Sequence, residues 1–514
     1  MMDVASAHAA HPSDEQLPVE FARDQPVPVD TYAGRIYVAW DPDAAITPMG
    51  QMAFFIAFLK TSGLFDNLVA ACPLRYSSPN APSKQDVLGT ALLSVLSGHR
   101  RYAHITALRA DTVNPPLLGM NRVLSEDAIR RAFEKIEAEA GVAWLQEQLD
   151  YTIRPLLGEP WILDADATVK PLYGDQEGAV VGYNPTKPGR PSHAYHSFMI
   201  GTLRLMLEVE VRPGDQHAPK HGAPDLWALL DRLGPGRQPW LLRGDVAWAG
   251  EETMREAERR CQPYLFRLRL TRNVVRAIER AMTEAGWEPA GQGWEGQAIQ
   301  LRLLGWSHHR RVVLLRRKLD RAVAIERDAD GQHRLSFATV DPRRKVWEFA
   351  ALVTSLDAEI LSLGQLYRDR GDAENDFDEL KNQWGWGGFT TQDLKRCRLM
   401  ARFVALVFNW WTLFVRLADP DHHREAITSR PLLLSAIGRR TTHAGQTTIR
   451  LGSTHARHTW VRGALNRIGA FLEALRSSAE QLTPLERWYR ILSEAFVKYL
   501  TGRQLHPPPL FGTS

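Results

Sequence analysis

The segment "WILDADATVK", residues 161–170, decides the fold. Its apolar and β-branched residues predict a strand. Asp164 and Asp166 lie two residues apart, so their side chains project from the same face of that strand. The segment therefore predicts a strand that carries two carboxylates into the interior of a sheet.

The residues after this strand continue an α/β pattern. A Gly/Pro loop comes first, and the predicted elements then follow in the order strand, strand, helix, strand, helix, strand. This order predicts a mixed α/β sheet. The elements are "HSFMIGTL", "RLMLEVEVR", a helix around "APDLWALLDRLG", "PWLLRGD" (239–245), a helix near 249–260, and "YLFRLRL" (264–270).

Asp245, at the end of "PWLLRGD", is a second carboxylate position in this sheet. A carboxylate is costly to bury without a partner, and a divalent cation is one such partner. Simpler roles remain open, because Asp164 can cap a turn and Asp245 can cap the helix that follows it. Two Asp residues on neighbouring strands and a Glu on a later helix can together hold two metal ions for phosphoryl transfer.

The segment "YRDRGDAENDFDELK" (367–381) is predicted to be that later helix. At 3.6 residues per turn, Tyr367, Arg370, Glu374 and Lys381 share one narrow stripe. Asp378 also falls near the stripe, and the helical wheel does not choose between it and Glu374. A helix covered by surface ion pairs fits the same segment.

The remaining residues of this helix define its two sides. The stripe borders a predicted buried sector, formed by Leu366, Ala373, Phe377, Leu380 and Trp384. The opposite, predicted exposed side carries Asp369, Asp372, Asn375, Asp376 and Glu379.

The rest of the chain divides around the sheet, and no internal repeat is present. Five parts are predicted: a disordered tail (1–30), a helical N-terminal region (31–160), an α/β domain (161–270 and 356–418), a β-rich insertion (271–355) and a basic helical C-terminal region (419–514).

Charge is distributed unevenly along the 514 residues. The net charge is only +4, but residues 395–514 contain 18 Lys and Arg against seven Asp and Glu. A second basic stretch, "HHRRVVLLRRKLDR", covers 308–321. Basic surface of this kind favours contact with the phosphates of nucleic acid, although solvated Arg is also common in other proteins.

Composition and cysteine usage exclude several classes of protein. Forty-four per cent hydrophobic and 24% charged residues are typical of a globular chain. Cys72, Cys261 and Cys397 lie far apart, which predicts buried thiols in a reducing compartment rather than disulfides or zinc ligands. The N-terminus lacks the features of a signal peptide. The apolar run 403–415 is shorter than the roughly 20 residues of a membrane span, so it predicts a core helix and no membrane association.

The spacing of Tyr367, Arg370, Glu374 and Lys381 resembles the Y-(2)-R-(3)-E-(6)-K signature of bacterial insertion-sequence transposases with a DDE catalytic triad. "DADAT", the loop "YGDQEGAVVGYNPTKPGRPSH" and "LLRGDVAW" resemble the first and second Asp segments of the same family. The resemblance covers roughly residues 45–480. It implies a ribonuclease H-like mixed sheet interrupted by the β-rich insertion.

The resemblance also implies a catalytic and metal-binding triad of Asp166, Asp245 and Glu374. It selects Asp166 over Asp164 because the first Asp of the family stands two residues before a Thr or Ser, here Thr168, and it selects Glu374 over Asp378. The implied cofactor is a pair of Mg²⁺ ions, for which Mn²⁺ can substitute. Val246 and Ala247 depart from the small polar or aromatic residues frequent in the family, which puts contacts just after Asp245 in doubt.

DNA contacts follow from the same resemblance. Tyr367, Arg370 and Lys381, with Lys187 and Arg190 of the loop, are expected to contact DNA. Double-strand breakage by one active site needs a distorted strand end, and a flipped base can stack on an aromatic side chain. Candidates for this stacking are Trp294 and Trp306, ahead of Trp287, although packing of the insertion explains any one of them equally well.

The resulting functional expectation is a DNA transposase that cleaves and joins strands in cut-and-paste movement of an insertion sequence. Its expected partners are terminal inverted repeats, target DNA and a second protomer in a synaptic homodimer, and its expected location is the bacterial cytoplasm at the nucleoid. Residues 31–160 are expected to recognise the inverted repeats. Two alternatives are a metal-dependent nuclease or resolvase with the same triad, and a transposase-derived DNA-binding protein without catalysis.

Overall fold

The computed structural model describes residues 26–41, 43–185, 187–217, 219–319, 339–340, 346–452 and 457–508, without the side chains of 219, 339–340, 346 and 372–374. The chain forms two compact units, residues 1–45 and 46–514. In the first unit, β1 (Val27–Thr31) and β2 (Gly34–Val38) form an antiparallel hairpin. Residues 1–25 of the predicted tail lie outside the described residues, whereas residues 27–30 belong to β1 and are not part of a structureless tail.

Residues 46–160 are mainly helical. The predicted N-cap Ser125 accepts a hydrogen bond from the backbone N–H of Ala128, at 3.3 Å. The long helix that follows it in the sequence is broken, because Glu137 caps a second helix with its own side chain. The elements are β3 (Ile46–Thr47), α1 (Met52–Ser62), α2 (Leu64–Ala71), α3 (Lys84–Leu96), α4 (Asn114–Leu117), α5 (Glu126–Lys135) and α6 (Ala138–Ile153).

Residues 161–354 form an eleven-stranded mixed sheet together with its connecting helices. The strands are β4 (Ile162–Pro171), β5 (Val180–Val181), β6 (Pro191–Ile200), β7 (Leu205–Pro213), β8 (Leu241–Gly244), β9 (Tyr264–Arg267), β10 (Glu288–Gly291), β11 (Trp294–Leu301), β12 (Arg310–Leu319), β13 (Thr339–Val340) and β14 (Val346–Thr354). The helices are α7 (Pro219–Leu233), α8 (Glu251–Arg259) and α9 (Arg272–Thr283).

The strand order is β10-β11-β12-β14-β9-β8-β4-β6-β5, with β7 also paired to β6 and β13 to β14. β8 runs parallel to β4, and β9 runs parallel to β8. The other described pairings within this sheet are antiparallel. β4 is therefore the third strand from the β5 end of this order, between an antiparallel and a parallel neighbour.

The predicted β-rich insertion does not form a separate β core. Its strand β14 pairs with β9 from Leu352↔Arg267 to Thr354↔Leu265, and β12, β11 and β10 follow outward from β14. The strands of residues 271–355 thus widen the sheet sideways.

The last part of the chain is mostly helical. Its helices are α10 (Ile360–Arg368), α11 (Gly371–Gln383), α12 (Leu394–Ala418), α13 (Ala426–Leu433), α14 (His458–Arg476) and α15 (Pro484–Ala495). The C-terminal region predicted to be helical also contains two strands, β15 (Gly438–His443) and β16 (Gln446–Leu451). They form a three-stranded sheet with β3, in the order β16-β15-β3.

Helix α12 is the central core helix. By length and composition it could cross a membrane, but 94% of its most apolar window is buried inside the protein. Its Arg402 is fully buried and donates hydrogen bonds to Glu208 and Glu210 of β7, at 2.8 and 2.5 Å. Cys72 and Cys397 are buried as predicted, but Cys261 is exposed.

Candidate active site

The carboxyl end of β8 lies beside the middle of β4. The parallel register pairs Asp164 with Arg243 and Ala165 with Gly244. The next residues along the two strands are Asp166 and Asp245, and neighbouring strands lie about 4.8 Å apart. Both aspartates are partly exposed, which makes them reachable from solvent at the same point of the sheet.

Asp245 does not cap the helix that follows it. The N-cap of α8 is Gly250, five residues later, and Asp245 Oδ1 instead accepts the backbone N–H of Ala247 at 2.9 Å. Helix capping, the alternative role for this residue, is therefore wrong. The turn holds one carboxylate oxygen of Asp245 in place at the end of the strand.

Asp164 forms a closed, buried ion pair. Its side chain has no exposed surface and accepts hydrogen bonds from Nε and Nη2 of Arg243, at 2.7 and 2.6 Å. Gly201 is needed beside this pair, because a Cβ there would lie 1.8 Å from Asp164 Oδ2. Burial raises the pKa of Asp164, and Arg243 opposes that shift. Both oxygens of this carboxylate are thus engaged by the protein itself.

Asp166 is paired with Arg370. Nη2 of Arg370 donates to Asp166 Oδ1 at 3.1 Å, and the Asp166 side chain is 18% exposed while that of Arg370 is 2% exposed. Burial alone would lower the pKa of Arg370. The opposing effect of nearby groups is larger, so the net shift of this pKa is upward; these groups are Asp166, Tyr367, Asp164 and Asp245. Arg370, expected to contact DNA, faces the carboxylates in this structure.

The signature segment is not one continuous helix. α10 ends at Arg368 and α11 begins at Gly371, with Arg370 as the N-cap of α11. A single helical wheel over 367–381 is therefore wrong across this turn. Nη1 of Arg243 donates to the carbonyl of Leu366 at 2.5 Å, which fixes the end of α10 against β8.

Within α11 the predicted buried sector is largely correct, because Phe377, Leu380 and Trp384 are buried. Asp376 and Glu379, predicted to be exposed, are buried as well. The side chain of Glu374 lies outside the described residues, and the structure places only its backbone, in the first turns of α11. Asp378, its competitor on the wheel, is exposed.

Asp376 and Glu379 lie close to His423, a contact that no sequence pattern predicted. Their ligand atoms lie within 4.8 Å of one another, which is close enough to hold a metal ion. Asp376 already pairs with Arg204 at 3.0 Å, and Glu379 accepts from Trp384 Nε1 at 2.9 Å. The group is accordingly read as a buried polar network that joins α11 to residues 423–426.

Lys187 and Arg190 lie in an exposed loop before β6. Both cations stack over the ring of Tyr173, at 5.1 and 4.7 Å from its centroid, and Tyr173 is 67% exposed. Lys381 is partly exposed in the last turn of α11, and Tyr367 is partly buried at the end of α10. The predicted DNA contacts other than Arg370 therefore retain surface that a ligand can reach.

Trp294 lies far across the sheet from the carboxylates. β11, which carries Trp294, is the fifth strand from β4, roughly 24 Å away at 4.8 Å per strand. Trp306 is only 7% exposed. Arginines lie over all three rings: Arg317 over Trp294, Arg310 over Trp306 and Arg316 over Trp287. These contacts favour packing, and base stacking stays an untested prediction.

His217 is a neighbour of the site that the sequence patterns did not single out. Its Nε2 lies 3.3 Å from the carbonyl of Ala167, and its ring lies 4.8 Å from that of Tyr183. Burial lowers the pKa of His217, against the opposing effects of Ala167 and Asp245. Tyr183 belongs to the Gly/Pro loop, so the loop reaches the same edge of the sheet as Asp245.

Comparison with known proteins adds a family. The model of a family described as "Transposase DDE domain group 1" matches residues 50–472. No curated protein matches the chain. A solved structure, the cryo-EM structure of the piggyBac transposase synaptic complex with hairpin DNA, is 12% identical; the match covers 91% of this chain and 87% of that one, with a TM-score of 0.37.

Proposed function

We propose, from the premise that this chain belongs to the family of transposases with a group 1 DDE domain, that it performs metal-dependent cleavage and strand transfer of DNA. The reaction would move an insertion sequence by cut-and-paste transposition. The observation that carries this proposal is the placement of Asp166, within β4, beside Asp245, which directly follows β8, with both residues partly open to solvent.

The donor set fits a hard divalent cation. Carboxylate oxygens are the ligands that Mg²⁺ prefers, and Asp166, Asp245 and Glu374 would hold two such ions. When bound, these ions would activate a water or a 3′-hydroxyl and stabilise the leaving oxygen of an in-line displacement. Mn²⁺ offers the same ligand preference and can substitute.

Arg370 and the surrounding cations would serve distinct roles. The buried guanidinium of Arg370 would offset the negative charge of Asp166 and of the neighbouring carboxylates and hold the Asp166 side chain in place. Lys187, Arg190 and Lys381 are exposed or partly exposed and are suited to hold the DNA phosphates.

The topology supports a ribonuclease H-like class for the sheet. The five strands β7-β6-β4-β8-β9 combine three antiparallel strands with two that run parallel to β4, and α7 and α8 connect the parallel ones. The proposed partners are the terminal inverted repeats, target DNA and a second protomer, since two DNA ends must be brought together. A nuclease or resolvase without strand joining is the remaining candidate within the same chemistry.

A cleavage assay on the gene with its flanking DNA tests the proposal. Asp166→Asn, Asp245→Asn and Glu374→Gln are each expected to abolish Mg²⁺-dependent nicking, because each removes a proposed metal ligand. Asp378→Asn is the matched control: it removes one negative charge from an exposed position on the same helix and should retain activity.

Loss of nicking in Asp378→Asn with retention in Glu374→Gln would assign the third carboxylate to Asp378. Nicking without any joined product would leave the nuclease alternative. A wild-type protein that binds these ends but never cuts them, with Mg²⁺ or with Mn²⁺, would overturn the proposal.

A further inference from the structure

The hairpin β15–β16, residues 438–451, is unusual in being open to solvent on both of its faces. From Arg439 to Leu451 every residue is at least partly exposed. Ala444 and Gly445 form its two-residue turn, with φ of 48° and 77°. Positive φ at both positions is typical of the type I′ turn, whose twist matches that of the two strands. We refer to residues 438–451 as the basic ribbon.

The root of the basic ribbon is firmly attached. β3 pairs with it only at Gly438 and Arg439. Gly50 packs so closely that a Cβ there would lie 2.6 Å from Leu451 Cδ2 and 2.9 Å from the Gly438 Cα. The backbone N–H of Gly50 donates to Ala436 at 2.8 Å. The ribbon therefore projects from a rigid base, and most of its length contributes little to the core.

One face of the ribbon is wholly polar. Cross-strand pairs on an antiparallel ladder share a face. The register pairs Arg439 with Arg450, Thr441 with Thr448, and His443 with Gln446. This face thus runs from two arginines at the root, through two hydroxyls, to an imidazole and an amide at the tip. The opposite face carries Arg440, Ile449, Thr442 and Thr447 beyond its root.

No acidic residue offsets this positive charge in the surrounding sequence. Between Glu425 and Glu473 the sequence contains seven Arg and no Asp or Glu. Within the ribbon, Arg439 and Arg450 lie directly opposite each other, which is a destabilising arrangement for like charges in a sheet. Such a pair is easier to explain if a polyanion neutralises it in the working complex.

The shape and chemistry of the ribbon match a DNA groove. A two-stranded β-ribbon fits the major groove of B-DNA, which is about 12 Å wide. Arg and Gln side chains can pair with the edges of G and A, and the methyl of Thr can contact that of T. Arginines at the root are placed to reach phosphates on either side. A partner protein would need a complementary acidic surface, which makes double-stranded DNA the simpler fit.

We propose that the basic ribbon inserts into the major groove of the DNA substrate, with Arg439 and Arg450 on phosphates and Thr441, His443, Gln446 and Thr448 against base edges. The inference rests on the proposed function for the identity of the ligand, but it assigns a contact separate from the catalytic carboxylates. It also adds a β-hairpin that contacts base pairs, whereas from the amino-acid sequence only the N-terminal helices were expected to recognise the DNA sequence.

Tethered cleavage tests the location directly. Full-length protein with Cys261→Ser, which removes the exposed thiol, receives one new thiol at Gln446→Cys and carries an Fe–EDTA group there. On an end-labelled fragment of the gene and its flanks, cuts should cluster within a few base pairs on both strands. The same group at Glu480→Cys, an exposed position in the same region, should give no such cluster. Equal or absent cutting from both positions would overturn the proposal.

Binding measurements test the energetics. Arg439→Ala with Arg450→Ala should weaken binding to a generic fluorescein-labelled duplex about tenfold at moderate salt. The slope of log K against log salt should fall by about 1.8, at about 0.9 per phosphate contact. The control double variant, Arg476→Ala with Arg490→Ala, removes two partly exposed arginines from neighbouring helices and should change both values less. Thermal melting checks that all variants fold.

The outcomes separate the ribbon from the catalytic proposal. If the wild-type protein binds DNA through the basic ribbon but never cuts it, the proposed function is refuted and the proposal for the ribbon stands. If the wild type cuts DNA and the ribbon variant keeps the same affinity and salt slope, only the proposal for the ribbon is refuted. Loss of dimers in light scattering, at an unchanged salt slope, would show that the ribbon contacts a second copy of the chain instead of DNA.

Discussion

Strand β4 carries two aspartates, each paired with an arginine from another element, but the two Asp–Arg pairs differ in burial. At the inner part, Asp164 and Arg243 are both fully buried and form a two-point ion pair. At the outer part, Asp166 accepts a hydrogen bond from Arg370, at 3.1 Å, and remains partly exposed. Burial, rather than residue type, therefore distinguishes the two carboxylates: the Asp164 side chain is fully buried, whereas that of Asp166 can be reached from solvent.

The same face of β4 continues to Thr168 and Lys170. Residues 166–168 are partly exposed, whereas Asp164 and Lys170 on either side are buried. The strand is thus open to solvent over three residues in its middle. A ligand that approaches this face can reach Asp166 and not Asp164, which agrees with the choice of Asp166 in the proposed triad.

The largest expected effect is on the free energy of unfolding when the buried pair of Asp164 and Arg243 is disrupted. Asp164→Ala should lower the free energy of unfolding by about 3–5 kcal/mol, because it leaves the Arg243 guanidinium buried without its partner. Asp166→Ala should change it by less than about 1 kcal/mol. Urea denaturation of the two variants measures the difference. Asp164→Leu with Arg243→Met is the control that should recover most of the loss, and equal stabilities for Asp164→Ala and Asp166→Ala would refute the contrast.

An intermediate effect is expected at the outer pair. Arg370→Ala removes the cation that faces several carboxylates, and the metal-free protein should lose about 1–3 kcal/mol of stability. Added Mg²⁺ should raise the melting temperature of this variant more than that of the wild type, because the ion supplies the missing positive charge. Arg490→Ala, at a more exposed ion pair, is the control.

The DNA affinity of Arg370→Ala sharpens the same point. If Arg370 mainly holds the carboxylates, the salt slope of DNA binding should stay unchanged in this variant. A slope reduced by about one would instead show a direct phosphate contact, as first expected from the signature.

The smallest effect is expected at Lys170. Burial lowers the pKa of Lys170 to about 8, and its ammonium donates to the carbonyl of Gly388. The pKa of this lysine is lower in the folded protein than its unfolded value of 10.5, so the charged form is disfavoured by folding. Below pH 8 the lysine is charged and lowers the free energy of unfolding. Between pH 8 and 10.5 this destabilising effect decreases, because the folded protein then holds the neutral amine. Lys170→Met should therefore stabilise the protein only slightly at pH 7, because it removes the cost of burying the charge but also loses the hydrogen bond to Gly388.

Denaturation at a series of pH values checks this prediction. The advantage of Lys170→Met over the wild type should shrink as the pH rises above 8. An advantage that is constant with pH would mean that packing of the methionine, and not the lysine charge, is responsible.

The alternation of strand and helix after residue 161 was enough to predict a mixed sheet, because apolar runs of this length can be buried only in a layered fold. The buried sector of α11 followed from helical periodicity at Phe377, Leu380 and Trp384. Periodicity failed at Asp376 and Glu379, since a local pattern cannot show that Arg204 and His423 come from distant segments to satisfy them.

The extent of the sheet was equally hidden. Residues 271–355 were predicted to be a β-rich insertion, but the pattern did not show that its strands extend the main sheet, because the pairing of β14 with β9 joins segments some 85 residues apart in the chain. The projecting basic ribbon was missed because the arginine-rich composition of the C-terminal region does not distinguish a helix from a hairpin when neither face is buried.

The sequence by itself determined which residue types stand at which intervals: two aspartates on one face of a strand, a third at the end of another, and the Tyr/Arg/Glu/Lys spacing that carries the family resemblance. The tertiary structure determines that Asp164 is fully buried in its pair with Arg243, whereas Asp166, paired with Arg370, remains partly exposed. The physical reason is that burial and ion pairing depend on which distant segments meet, and a one-dimensional pattern does not contain those distances.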